Sequence, residues 1–382
     1  MGNAYIFDDN GLPELNQFKY DDNGKILYYV ASNGRLARNQ FIQASTNGPF
    51  YYFGNDNKAV FGNQTIDGNK MYFDNNGYQV KGGFVENADG TYSYYDQGNG
   101  NLAIGKVKVG SRTLYFDDNG EQVKGRFAEN ANGTYSYYDK NSGDMLVGKV
   151  NIEGRSLYFD DNGEQVKGRF AENANGTYSY YDKNSGDMLV GKVNIEGRSL
   201  YFDDNGEQVK GRFAENANGT YSYYDKNSGD MLVGKVNIEG RSLYFDDNGE
   251  QVKGRFAENA NGTYSYYDKN SGDMLVGKVN IEGRSLYFDD NGEQVKGRFA
   301  ENANGTYSYY DKNSGDMLVG KVNIEGRSLY FDDNGEQVKG RFAENANGTY
   351  SYWRYKDDNE PDLLNIAQGS VCNGCNRPQP IL

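Results

Sequence analysis

The stretch KVNIEGRSLYFDDNGEQVK, Lys149–Lys167, decides the fold. Two runs carrying apolar residues, KVNI (Lys149–Ile152) and SLYFD (Ser156–Asp160), flank Glu153–Gly154. A two-residue link ending in Gly between such runs signals a β-hairpin, because the turn that matches strand twist needs positive φ. Strand alternation assigns the faces. Leu157 and Phe159 share one face, expected to be core, and Tyr158 points the other way. In FDDNGE, Asp and Asn stand before Gly, which is what tight turns select. In Gln165-Val166-Lys167, Val166 faces the core and the two polar side chains project together on the opposite side.

The stretch belongs to a repeat. GRFAENANGTYSYYDKNSGDMLVGKVNIEGRSLYFDDNGEQVK occupies Gly125–Lys167, and identical text restarts at Gly168, Gly211, Gly254 and Gly297. Residues 125–339 are thus five identical 43-residue repeats, and 39–124 are two diverged ones. Residues 1–38 carry diverged partial repeats, 340–352 a truncated copy and 353–382 a non-repeat tail. Each repeat divides into related halves, Gly125–Val147 and Gly148–Lys167. In the first half, FAEN and TYSYYD flank a loop ending in Asn132–Gly133. No long window has a 3.6-residue period. One hairpin cannot bury its apolar face alone, whereas stacked neighbours can. The expected fold is all-β, an elongated, repetitive β-solenoid of stacked hairpins.

Composition narrows the function. The 382 residues carry a formal charge of −14, which disfavours nucleic acid and anionic membrane surfaces. Aromatic residues make up 15% of the chain, too many for a disordered one. There is no His, and both Cys, Cys372 and Cys375, lie in the tail, so no disulfide framework staples the body. CNGC supplies two sulfurs where a structural zinc site needs four ligands. No apolar run reaches transmembrane length, and the N-terminus lacks a secretory signal. The chain reads as a fragment or excised region of an extracellular or cell-surface protein.

No catalytic constellation is present. Asp160–Asp161 are adjacent and point apart, whereas glycoside hydrolysis needs two carboxyls facing across a cleft. FDDNGE and YDKNSGD resemble part of a calcium loop, but a full loop needs more oxygen ligands and a distal Glu. The turn reading accounts for them. No metal or cofactor is expected. The recurring strip is Gln-x-Lys, seven to nine residues after an outward Tyr. Gln donates and accepts, Lys donates, and Tyr offers a flat face with a polar tip. This set suits a polyhydroxylated ring with C–H faces.

The half-repeat pattern, GTYSYYD or RSLYFDDNG followed by GEQVKG, resembles the cell-wall/glucan-binding repeats of secreted bacterial glucansucrases and glucan-binding proteins. Choline-binding and clostridial toxin repeats are relatives. The resemblance covers roughly residues 1–352. It implies non-catalytic binding of α-glucan such as dextran, with sugar pockets made of a stacking Tyr and the Gln and Lys of one Q-x-K strand. Carried over, the pockets are Tyr158 with Gln165 and Lys167, Tyr72 with Gln79 and Lys81, and Tyr115 with Gln122 and Lys124. They continue as Tyr201, Gln208 and Lys210; Tyr244, Gln251 and Lys253; Tyr287, Gln294 and Lys296; and Tyr330, Gln337 and Lys339. The first half of each repeat lacks Q-x-K, so one pocket per 43 residues is expected. Choline-binding repeats carry Trp after the opening Gly and in the aromatic strand; here Arg126 or Lys149, then Tyr135 or Ser156, stand there. A basic residue in an aromatic cage repels choline.

The alternatives left open are a surface or toxin-like adhesion module for cell wall or host glycans, and a spacer without ligand. The expected molecule is a monomer whose partner is α-glucan. The tail is expected to be poorly ordered.

Overall fold

The structure is a computed structural model that describes residues 4–353. Cys372, Cys375 and the tail expected to be poorly ordered lie in 354–382, outside the described residues. Among the described residues thirty-two strands, β1 (Gln17–Tyr20) to β32 (Tyr350–Trp353), pair two by two into antiparallel hairpins, and no helix occurs. The chain divides into two compact units, Met1–Leu189 and Val190–Leu382. Each is a repetitive β-solenoid of stacked hairpins.

The Glu-Gly turn behaves as its sequence dictates. β13 (Gly148–Ile152) pairs with β14 (Arg155–Phe159) in the register Gly148↔Phe159 to Ile152↔Arg155. Glu153 and Gly154 both have positive φ, 52° and 82°, the signature of the mirror-image turn that matches strand twist. The Gly154 N–H donates to Asn151 Oδ1 at 3.1 Å, which anchors the strained Glu153. In the first half-repeat, β11 (Arg126–Glu129) pairs with β12 (Tyr135–Tyr138). Its wider loop closes with the Asn130 N–H donating to the Thr134 carbonyl.

Both faces of each hairpin are used. Leu157 and Phe159 are fully buried with Tyr137 of the hairpin before. Tyr158, on the other face, packs on Val166 of its own half-repeat and on Ala171, Tyr181 and Met188 of the succeeding one. There β15 (Arg169–Glu172) and β16 (Tyr178–Tyr181) form the next hairpin.

The short Gln-Val-Lys strand stitches neighbours together. The Gln165 N–H donates to the Tyr135 carbonyl one hairpin back, and the Val166 N–H donates to the Tyr158 carbonyl, each at 2.8 Å. The turns between are closed by carboxylates. Asp160 Oδ1 accepts from the N–H groups of Asn162 and Glu164, and Asp182 Oδ1 from those of Asn184 and Ser185. FDDNGE and YDKNSGD thus serve as turns. Exposed ion pairs Arg155–Asp187 and Arg169–Asp160 clip successive elements.

Such stacking makes damage local. Phe159→Ala removes a ring with no solvent exposure, tilted against Phe127 at 6.3 Å. Truncating such a ring costs about 3–5 kcal/mol. In a quasi-one-dimensional array the loss stays near its origin. Hydrogen exchange should therefore accelerate in β11–β14 and remain slow in β1–β4 (β2 is Ile26–Val30, β3 Gln40–Gln43, β4 Phe50–Phe53). Uniform acceleration along the chain would refute the local picture.

Candidate carbohydrate site

The Gln-x-Lys side chains come together, on a turn of the next half-repeat. Lys167 Nζ donates to the Asn184 carbonyl at 3.0 Å, and the same contact recurs from Lys210 to Asn227 and from Lys253 to Asn270. Gln165 approaches the turn at Gly186, where a Cβ would meet its Nε2 at 2.5 Å. Gly186 has φ +78°, so the turn needs glycine for its conformation as well as its space. In the diverged repeat Gln79 Nε2 donates to the Asn99 carbonyl at 3.1 Å and Lys81 Nζ to the Gly98 carbonyl. The turn carboxylate itself, Asp182, is held below the usual carboxylate range by the N–H groups of Ser185 and Asn184.

The tyrosine assigned to these pairs stands elsewhere. Phe159 bridges to Gln165, and the Val166 N–H bonds to Tyr158, so Tyr158 shares a side with Val166. Gln165 and Lys167 project to the opposite side. The Tyr158 ring is half-buried, with its centroid 5.6 Å from that of Tyr181. Tyr72, Tyr115, Tyr201, Tyr244 and Tyr287 meet Tyr95, Tyr138, Tyr224, Tyr267 and Tyr310 in the same way. Tyr330 meets Trp353, which stands where the other repeats have that buried Tyr. The expectation that Tyr158 forms one pocket with Gln165 and Lys167 is thus corrected: its ring lies on the other side of the strand, partly covered by the following hairpin.

A different tyrosine lies beside the Gln-x-Lys strand. The Gln294 N–H donates to the Tyr264 carbonyl at 2.7 Å, and Lys296 Nζ lies 5.9 Å from the centre of the Tyr264 ring. Lys339 stands 6.0 Å from Tyr307 and Lys124 stands 5.6 Å from Tyr92. These rings are exposed, Tyr264 by 40%. Each belongs to the aromatic strand of the preceding hairpin, thirty residues before its Gln. Alternation in YSYY shows that Tyr264 and Tyr266 share a face. Which later strand lies alongside is not readable from spacing.

The resulting surface offers an open aromatic face, an ammonium group and an amide anchored to a turn. It can stack on the C–H face of a ring and hydrogen-bond hydroxyls at its edge. Among the described residues no group of His, Cys, Asp and Glu is placed to hold a metal ion.

Comparison with known proteins places the chain. Successive matches to the choline-binding repeat cover residues 60–106, 103–149, 146–192, 189–236, 232–278, 275–322 and 318–359. Glucosyltransferase-S of Streptococcus mutans serotype c is 46% identical over 72 residues, which is 19% of this chain and 5% of that one. Glucosyltransferase-I of Streptococcus downei is 37% identical over 67 residues, 18% of this chain and 4% of that one. The matched stretches thus span about one-twentieth of these relatives' length. CbpJ from Streptococcus pneumoniae TIGR4 superposes with a TM-score of 0.46 at 19% identity, covering 78% of this chain and 99% of that one. The repeat matches run through most of the sequence, and the chain belongs to the choline-binding repeat family.

Proposed function

We propose that the chain is a non-catalytic array that binds an α-glucan such as dextran, outside the cell, as a region of a larger glucan-forming or glucan-binding protein. The observation that carries this reading is the exposed tyrosine set beside the Gln-x-Lys strand, renewed every 43 residues. Each platform, Tyr264 with Gln294 and Lys296 for instance, is one weak sugar site. The similarity to two glucosyltransferases points to a glucosyl polymer as the ligand. Choline fits less well despite the family's name. A quaternary ammonium is held by several aromatic faces without a competing cation, and Lys stands beside the ring here.

Native gels cast with dextran test the proposal. The full chain should be retarded. Replacing the Gln and Lys of every Gln-x-Lys strand by Ala should restore free migration, with the circular dichroism spectrum retained. Undiminished mobility of the unaltered chain in dextran would reject a dextran ligand.

A further inference from the structure

Tyr138, Tyr181, Tyr224, Tyr267 and Tyr310 are fully buried, yet the hydroxyl of each lacks a hydrogen-bond partner. The buried serine two residues before stands near the hydroxyl but outside hydrogen-bond geometry, and it pairs with an asparagine: Ser308 with Asn302, and Ser179 with Asn173. A buried polar group left unpaired is destabilising, and this one recurs at every identical repeat. The diverged repeat shows the alternative. There Tyr95 Oη donates to Asn63 Oδ1 at 2.9 Å. At the position of Asn63 every later full repeat has lysine, Lys106, Lys192, Lys235 and Lys278 among them. The ammonium groups of these four turn away, donating to the carbonyls of Asn162, Asn248, Asn291 and Asn334.

A groove lies beside these positions. In the diverged repeat the groove, about 300 Å³, is lined by Asn63, Asn87, Tyr95 and Glu121 among others. At the last full repeat it is about 770 Å³, and Lys278, Tyr287, Asn302 and Glu336 line it. The ring of Tyr287 lies 5.6 Å from that of Tyr310. By equivalence with Tyr95, the Tyr310 hydroxyl sits under the Lys278 chain, a flexible cover. This surface differs from the Tyr264 platform and lies on the other side of the Gln-x-Lys strand.

The geometry points to a second sugar subsite in each identical repeat, in which a neutral hydroxylated ring enters between the lysine and Tyr287 and pairs with the orphaned hydroxyl of Tyr310 or its equivalent. Tyr287 offers a ring face, and Asn302 and Glu336 offer polar edges. Lys278 repels a quaternary ammonium, and Glu336 repels an anion, which leaves a neutral polyol. The inference rests on the α-glucan reading and adds a site to it, so each 43-residue repeat carries two contacts with one polymer.

The test uses the full chain labelled with ¹³C at tyrosine Cζ, which reports hydrogen bonding at the hydroxyl, and isomaltotriose as the probe. Tyr310→Phe and Tyr264→Phe variants assign the buried and platform resonances. We expect both classes to shift saturably. A combined variant, Lys106→Asn, Lys192→Asn, Lys235→Asn and Lys278→Asn, restores the Tyr95-type bond. In it, the buried tyrosines of those repeats should be shifted before sugar is added and should no longer respond, while the platform class responds as before. Asn63 shows that asparagine is accommodated there. Shifts confined to the platform class would overturn the second subsite and leave glucan binding standing. Silence in both classes would reject the two together.

Discussion

Replacing the platform tyrosines Tyr92, Tyr135, Tyr221, Tyr264 and Tyr307 by alanine should lower affinity for a long α-glucan by roughly 10²–10⁴. Their rings are 37–42% exposed, so thermal unfolding should hardly change. Each ring contributes little alone, because a sugar exchanges water for one stacked face and a few hydrogen bonds. Once one platform is engaged, however, the next repeat meets the same polymer at high effective concentration. The array multiplies weak sites, and removing the stacking face from all of them removes the multiplication. Isothermal titration with long dextran and with isomaltotriose separates the two levels. A single Tyr264→Ala should change the polymer affinity only modestly. If the five-fold variant binds dextran as tightly as the unaltered chain, the platforms are not the sites.

The contrast with Tyr158 sharpens that expectation. Tyr158 and its equivalents wedge into the core made by Val166, Ala171 and Tyr181, so removing them should cost stability first. A variant set at Tyr158 would confuse loss of fold with loss of ligand. The exposed set does not.

How much of the molecule is legible in its sequence depends on distance along the chain. Glu153–Gly154 announces its hairpin because a turn is chosen by two residues, and Leu157 and Phe159 announce the core because alternation is local. Val166 inward with Gln165 and Lys167 opposite is equally local. The neighbour of a hairpin face is not local. The pairing of Tyr158 with Gln165 and Lys167 fails because nothing within its strand reveals that Tyr181, 23 residues on, packs against it on the other side. The pairing of Tyr264 with Gln294 is hidden for the same reason: the two lie thirty residues apart. The partners of the lysines are invisible for another reason, since Asn184 and its equivalents receive them through backbone carbonyls, which every residue possesses.

Alkali should unfold the chain in the range where its buried tyrosines are forced to ionise. Burial pushes the hydroxyls of Tyr138, Tyr181, Tyr224, Tyr267 and Tyr310 up to about 12 from an ordinary value of 10.0. Between these values the folded chain keeps protons that the unfolded chain has lost. Stability is therefore full below pH 10 and falls as pH rises toward 12. A two-unit shift at about 1.4 kcal/mol per unit is about 3 kcal/mol for each tyrosine. Because the array is stacked from small units, each loses its own share, and the repeats should open together. Phenolate absorbance followed with circular dichroism should show two classes of tyrosine. The exposed class ionises first with the fold intact. The buried class ionises with the loss of β-structure. Changing all five to Phe removes both the titration and the orphaned hydroxyls, so that variant should be at least as stable at neutral pH and should hold its fold to higher pH. Smooth ionisation of every tyrosine near pH 10 with the β-structure retained would mean that the hydroxyls reach water, and would deny them the buried, unpaired state.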